Sequence, residues 1–302
     1  MHNNTLSNAY GQKRAWLNMK KLSIAIPASV VSDTPHLREK TSKIGLIGRA
    51  AAIFRVNEII IYPDCLGVDQ RNDVDLVATL LAYMETPQYL RKTLFKLKPI
   101  LQYAGILPPL RTLHHPLNRR SKDLKVGEYR EGAAVSRTRE GTLVDIGVES
   151  PALVVNSQLA AGRRITVRIV KTGKPLKAEL VNRDEVPTYW GYLVTVEKHF
   201  FGQIVKSRSF DLTIATSKYG LPFTQVAGQI VEKWVRASNV LLAFGAPAVG
   251  LNEIVAREGL RLKDIVDFVV NAIPSQGTET VRTEEALFAS LAVFNIALAA
   301  RM

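Results

Sequence analysis

The sequence predicts an α/β protein in which a parallel sheet, drawn from both ends of the chain, is interrupted by a small β-barrel. Three observations carry the prediction. Toward the N-terminus, apolar strand-like runs alternate with helical stretches, the pattern of parallel strands joined by helical crossovers. From about Arg111 to Lys198 the text turns short, alternating and rich in turn residues. Beyond it the strand–helix alternation returns. The boundaries read as 19–111 and 199–302 for one discontinuous α/β domain and 112–198 for the barrel insertion. Residues 1–18 are polar, lack the apolar core of a signal peptide, and read as a disordered extension ahead of Met19.

In order along the chain, "KLSIAIPASV" is a buried strand with "LSIAI" as its apolar run. "DTPHLREKTSKIGLIGRAAAIFRV" is helical: Asp33 or Thr34 suits the cap, Pro35 the first turn, and Leu46, Ile47, Ala50, Ala51 and Phe54 recur at helical spacing. "NEIIIYPD" is a second short strand. "DVDLVATLLAYME" is a helix with Asp73 and Asp75 at its positive end. "PQYLRKTLFKLKPILQYAGI" continues helical and basic, interrupted by Pro99. In the central stretch, "TLVDIGV" and "RITVRIV" alternate as half-exposed strands do. With "PTYWGYLVTVEK" they make about five short strands, most simply an oligonucleotide-binding (OB-like) barrel. Then "DLTIATS" is a strand, "PFTQVAGQIVEKWVRAS" a helix, "NVLLAFGAP" a strand, "LNEIVAREG" a short helix, "IVDFVVNAI" a strand and "TEEALFASLAVFNIALAA" the last helix, which Thr283 and Glu284 are placed to cap.

Composition narrows the function classes. The net charge is +13, which points to a polyanionic partner, most simply RNA. The excess is regional: Lys+Arg against Asp+Glu is 15 to 8 over 1–111, 15 to 10 over 112–198 and 10 to 9 over 199–302. A lone cysteine, Cys65, excludes an internal disulfide framework and fits a cytoplasmic protein. The five histidines show no metal spacing, and His114-His115 reads as exposed at a domain junction. No apolar run is long enough for a membrane span. Neither a P-loop nor a dinucleotide-binding glycine motif occurs.

In open parallel sheets ligands bind beyond the carboxyl ends of strands. Three such ends here are long, polar loops: "ATSKYG", "FGAPAVG" and "NAIPSQGTETVR". Their glycines permit close backbone approach, and Thr216, Ser217, Asn271, Gln276, Thr278 and Thr280 offer neutral hydrogen bonds. Such a lining suits a nucleoside better than a triphosphate. Arg49 stands in a helix otherwise suited to burial, thinned by Gly45 and Gly48; it either finds a buried partner or snorkels outward. In the barrel text, Arg119, Arg120, Lys122, Arg137, Arg163, Arg164, Lys171 and Lys174 form basic runs, with Tyr129, Tyr189, Trp190 and Tyr192 interleaved as stacking faces. Tyr189 and Trp190 are adjacent, so at most one of them faces outward in a strand.

"KLSIAIP", "SKIGLIGRAAAIFRVNEIIIYPD", "FDLTIATSKYG", "LLAFGAPAVGL" and "NAIPSQGTETVRTEEALFASL" together resemble the SPOUT class of RNA methyltransferases, in the archaeal and eukaryotic subgroup with a barrel inserted in the methyltransferase domain. The resemblance covers about residues 20–300. It implies a C-terminal trefoil knot, S-adenosylmethionine held by the knot loops, a homodimer, and an RNA substrate, ribosomal or transfer, methylated on a base nitrogen or ribose oxygen. Carried onto this chain, it places the cofactor at Thr216, Phe244, Gly245, Ala246, Asn271, Ala272, Ile273, Gln276, Gly277, Thr278, Glu279 and Thr280. It makes Arg49 a catalytic candidate, and Arg282 is a second because it lies near this pocket in sequence. Ala246 stands where the family's "FGGP"-like motif has a second glycine. The alternative is a non-catalytic RNA- or ribosome-binding protein that retains the fold; no metal is implied.

Overall fold

The computed structural model describes residues 20–300, so the expectation for residues 1–18 lies outside the described residues. Chain contacts divide it into two units. One comprises the chain up to Ala82, Ile100–Pro108 and everything from Tyr192; the other comprises Tyr83–Pro99 and Pro109–Gly191.

The first unit is α/β. Its elements are β1 (Lys21–Pro27), α1 (Leu37–Ile53), β2 (Glu58–Tyr62), α2 (Arg71–Glu85, whose last turn falls in the other unit), then β8 (Leu193–Val196), α3 (Phe201–Ser207), β9 (Leu212–Pro222), α4 (Phe223–Arg236), β10 (Asn239–Ala243), α5 (Leu251–Arg257), β11 (Phe268–Asn271) and α6 (Thr283–Ala299). Six strands form one sheet in the order β11-β9-β10-β1-β2-β8, and every neighbouring pair is parallel. A parallel sheet is covered on both faces, so its central strands are apolar at successive positions. The last five residues of β1 and the last four of β2 and β10 are accordingly buried. On one face Ala25, Ile60, Tyr62, Ala215, Leu241 and Ala243 pack against Phe201 and Ile204 of α3 and Leu251, Ile254 and Val255 of α5.

Several expected elements are corrected. Helix α1 begins at Leu37, with no side-chain cap from Asp33 or Thr34. Asp33 instead accepts from the Lys43 ammonium at 2.6 and 2.8 Å. Leu46 is exposed rather than packed, and Gly45 is where Pro108 closes on the helix: a β-carbon there would meet the Pro108 ring at 2.8 Å. The stretch 87–106 is not a continuous helix but short turns at Gln88–Leu90, Arg91–Leu94, Pro99–Leu101 and Ala104–Ile106. Pro87 and Pro99 each lack the N–H a helix interior needs.

"LVTV", read as barrel text, is instead the edge strand β8, paired parallel to β2. Glu58 anchors it, accepting from Thr195 Oγ1 (2.6 Å), from Ser23 Oγ (3.1 Å) and from Arg208 Nη2 (2.8 and 2.9 Å). Finally, β9 runs on through "SKYGLP" to Pro222, where a loop was expected.

In the second unit, β3 (Tyr129–Arg137), β4 (Gly141–Asp145), β5 (Ala152–Val155), β6 (Arg164–Lys171) and β7 (Lys177–Val181) form a closed barrel in the order β3-β4-β5-β7-β6. All its pairs are antiparallel except β5 with β7. Val144, Ile146, Val154, Val167, Ile169 and Ala178 fill it. Bulges near Val135 in β3 and Val170 in β6 supply the local bending that closure of a small barrel demands. Among the described residues no helix is long and apolar enough to cross a membrane.

Candidate functional site

The three polar loops meet at the carboxyl ends of β9, β10 and β11. A cleft there is lined by 216–219, 244–253, 270–273, Gln276, Thr280 and Val281, and by Thr283, Ala286 and Ser290 of α6. A break in the β9–β11 ladder opens it. Val269 pairs with Ala215 and Val270 with Leu221, so residues 216–220 of β9 form a bulge in that ladder. Where β9 returns, Gly220 lies against β11 so closely that a β-carbon would sit 2.7 Å from the Val270 backbone nitrogen and carbonyl carbon.

Side chains lock the rim. Thr216 Oγ1 donates to the Ala243 carbonyl (3.0 Å), Tyr62 OH to that of Phe244 (2.8 Å), and Thr283 Oγ1 to that of Gly245 (3.1 Å). Burial first, then the Asp64 and Glu258 carboxylates, pushes the Tyr62 hydroxyl well above its ordinary pKa, so it stays a neutral donor. Asn271 braces two loops at once, its Nδ2 donating to Lys218 O (3.0 Å) while its Oδ1 accepts from Ile273 N (2.9 Å).

Of the cofactor residues expected from sequence, Thr216, Phe244, Gly245, Ala246, Asn271, Ala272, Ile273, Gln276 and Thr280 come together in this cleft. Gly277, Thr278 and Glu279 are exposed and lie outside its lining. The Gln276 amide donates to the Thr278 and Glu279 carbonyls (2.9 and 3.1 Å), folding that tip back on itself. Sequence reasoning missed Leu251, Asn252 and Glu253, at the start of a helix rather than in a loop, and Ser290. A serine buried in the apolar helix α6 was the one signal that could have found the last of these. Apolar walls beside neutral hydrogen-bonding side chains, with one lysine (Lys218) and one carboxylate (Glu253), fit an adenosyl sulfonium cofactor and not a polyphosphate.

The start of α6 differs from its expected form. Glu284 is not the cap: Glu285 accepts from the Arg282 N–H at 2.9 Å, the back-reaching half of a capping box. Glu284 is buried and faces a second cavity, lined by Asp33, Thr34, Glu39, Ser42, Lys43, Leu46, Arg282 and Glu284. Its Oε2 lies 3.4 Å from the buried Lys43 ammonium. Burial works against the Asp33 carboxylate, yet its bonds to Lys43 hold it below the usual value. Arg282 is exposed on the rim of this cavity. Arg49 is half-buried on α1, one turn beyond Leu46 and outside both linings. Burial and then Asp64 raise the Cys65 thiol, which disfavours the thiolate a nucleophile needs. Among the described residues no cluster of His, Cys, Asp or Glu could hold a metal ion.

The model of a family described as "Putative RNA methyltransferase" matches residues 21–294. The chain belongs to this family. It is similar to an uncharacterized protein of Haloarcula marismortui, 35% identical over 89% of this chain and 96% of that one. It is also similar to two proteins named 28S rRNA (uridine-N(3))-methyltransferase. The one from Mus musculus is 33% identical over 90% of this chain and 75% of its own; the one from Homo sapiens is 31% identical over 90% and 77%.

For an RNA methyltransferase the barrel unit's charges matter, and they divide into two groups. Arg119, Arg120, Lys122, Arg137, Arg163, Lys171 and Lys174 are exposed. Arg164 is not available to RNA: its guanidinium donates to Glu85 Oε2 and Glu131 Oε2, both at 2.6 Å. Trp190 is buried, donating to Glu131 Oε1 (2.7 Å), and Tyr192 is buried, so neither offers a stacking face. His114, expected outside, is fully buried with Nε2 3.2 Å from Glu85 Oε1.

Burial first, then neighbouring His114, holds the His115 imidazole down to about 4. Its folded pKa therefore lies below the unfolded value of about 6.5, and the unfolded chain binds more protons between the two. The stability it contributes is complete above the unfolded pKa and is lost as pH falls toward the folded one. In urea titrations, His115→Gln is expected to flatten the stability profile in that window by up to about 3 kcal/mol; an unaltered slope contradicts this.

Proposed function

We propose that the chain is a SPOUT-class enzyme that transfers a methyl group from S-adenosylmethionine to N3 of a uridine in large-subunit ribosomal RNA. The observation that carries this reading is the neutral cleft of three loops at the carboxyl ends of β9, β10 and β11, in a chain whose similar proteins include two named for that reaction. When bound, the cofactor supplies a methyl group on a sulfonium. Asn271, Gln276 and Thr280 would hold its polar groups, and Ile273 and Leu251 its apolar surface. Holding donor and acceptor at contact distance replaces a bimolecular encounter. Arg282, and Arg49 on α1, would orient the nucleotide and stabilise the charge it develops.

The last strands and α6 are taken to form the trefoil knot, and the closed barrel is taken as an OB-like RNA-binding module. Two packed helices, α1 and α6, carry exposed Leu46, Ile53 and Ile296; a second copy of the chain would cover such apolar surface, which supports the homodimer. Replacing Arg163, Lys171 and Lys174 with Ala should weaken RNA binding and reduce the log–log salt slope by about 0.7–0.9 per lost phosphate contact. An unchanged slope removes these residues from the interface. The function itself is tested by incubating the protein with an unmodified large-subunit rRNA transcript and S-adenosylmethionine, then digesting to nucleosides for mass spectrometry. 3-Methyluridine is expected. A transcript that is bound but not methylated would favour the non-catalytic binder.

A further inference from the structure

We propose that the cavity bounded by Lys43, Glu284 and Arg282 receives the uracil ring of the target nucleotide, and that Glu284 takes the N3 proton during transfer. The inference rests on the uridine-N3 reading and names the group that makes it chemically possible.

Glu284 is 5% exposed, and its Oε2 has no hydrogen-bond partner. Leaving a buried polar atom unsatisfied costs roughly 1–3 kcal/mol, more when it is charged, and native structures keep few such atoms. The nearest cation does not resolve it. Lys43 has three N–H donors and directs hydrogen bonds to both oxygens of Asp33, with Glu284 Oε2 left at 3.4 Å. Two carboxylates thus share one buried ammonium, and only one of them is bonded.

The cavity then presents a donor (the remaining Lys43 N–H), an acceptor (Glu284) and a second donor (Arg282). The Watson–Crick edge of uracil is the complement: O4 accepts, N3–H donates and O2 accepts. Cytosine, with an acceptor at N3, would face the carboxylate with a lone pair. Residue order brings the two cavities to the same helix start. Thr283 lines the cofactor cleft, while its neighbours Arg282 and Glu284 line this cavity, so the start of α6 borders both.

A uridine N3 is a poor nucleophile until its proton leaves. In the proposed step the N3–H proton passes to the Glu284 carboxylate and the N3 electron pair forms the bond to the methyl carbon. The carbon–sulfur bond breaks with its pair on sulfur, converting sulfonium to thioether. Glu284 then releases the proton to water. Lys43 and Arg282 oppose the negative charge that builds on O4 and O2.

Glu284→Gln keeps the shape and removes the base. With the large-subunit rRNA transcript, kcat for 3-methyluridine formation is expected to fall by about 100-fold or more, while KM for the RNA and calorimetric affinity for S-adenosylmethionine stay near wild type. A transcript made with 5-fluorouridine, whose imide is more acidic, should restore much of the lost rate to the variant and little to the wild type. With no methyl donor present, the wild type should bind an oligonucleotide carrying uridine at the target more tightly than one carrying 3-methyluridine or cytidine, and Glu284→Gln should lose that preference.

If Glu284→Gln fails to bind the donor because the α6 start has unfolded, Glu284→Asp carries the test. It keeps the charge beside Lys43 but shortens the reach, and at least about a tenfold loss of kcat with intact donor binding is expected. Formation of 3-methyluridine at the wild-type rate by either folded variant overturns the inference alone. A different methylated nucleoside from the wild-type protein overturns the uridine reading and this inference with it.

Discussion

Glu85→Ala is expected to destabilise the barrel unit by about 3–5 kcal/mol, the cost of removing one partner from a buried ion-pair network. The Glu85 side chain is 4% exposed. It accepts from Arg164 Nη1 at 2.6 Å and Arg183 Nη2 at 2.8 Å, with His114 Nε2 at 3.2 Å. Burial alone would raise its pKa, but Arg164, Arg183 and His114 together hold it far below the carboxylate range.

Without that carboxylate Arg183 loses the acid it shares with Arg164 while keeping its bond to the Trp190 carbonyl, and Arg164 must balance on Glu131. Glu85→Gln keeps two polar atoms and should lose less. Because the folded-state pKa is depressed, the stability Glu85 contributes is present above its unfolded pKa of about 4.3 and is lost as pH falls through the folded value. Urea midpoints across pH give the measurement; a Glu85→Ala protein within about 1 kcal/mol of wild type would contradict the network's role.

Gly220→Ala is the second large effect, and it acts on the proposed cofactor cleft. The added methyl would lie within 2.8 Å of three backbone atoms of Val269 and Val270. Backbone cannot rotate away as a side chain can, so β9 and β11 must separate at the point where their ladder is already broken. Overpacking of this kind costs typically 1–3 kcal/mol and sometimes more. The same shift displaces Asn271, which braces Lys218 O and Ile273 N. Loss of S-adenosylmethionine binding by more than about 100-fold is expected, since about 2.7 kcal/mol of lost contacts suffices. Wild-type affinity in a folded Gly220→Ala protein would mean that the β9 loop does not shape the cleft.

Those two residues mark the limits of what the chain text reveals. The central strands β1, β2 and β10 are legible because burial on both faces leaves continuous apolar runs. The edge strand β8 is not, because a half-exposed "LVTV" carries the same alternation as a barrel strand and only its Glu58 anchor assigns it. The stretch 87–106 has helical composition, but backbone N–H groups missing at Pro87 and Pro99 override it.

At the site, the three loops are legible through their length and polarity. What lies between them is not. Leu251 to Glu253 line the cleft from the start of α5 and carry no loop signature. Gly277 to Glu279 carry a polar signature but lie outside the cleft, where Gln276 donates to the Thr278 and Glu279 carbonyls. Arg164 reads as an RNA ligand because the acid that claims it, Glu85, lies 79 residues earlier in the chain. Glu284 reads as a helix cap because Glu285, one residue on, satisfies the same pattern.

The methyl donor is proposed to lie in the cleft between β9, β10 and β11. Titration calorimetry with S-adenosylmethionine tests it most directly when wild type is set beside Gly245→Val. A β-carbon at Gly245 would lie 3.0 Å from Leu251 N and 3.1 Å from Gly250 Cα, so the larger side chain must fill the cleft or push its rim apart. The account predicts one site per chain in the wild type and none in the variant, with the barrel unit's unfolding transition unchanged. No heat of binding in the wild type at millimolar cofactor, or equal binding by both proteins, would contradict it.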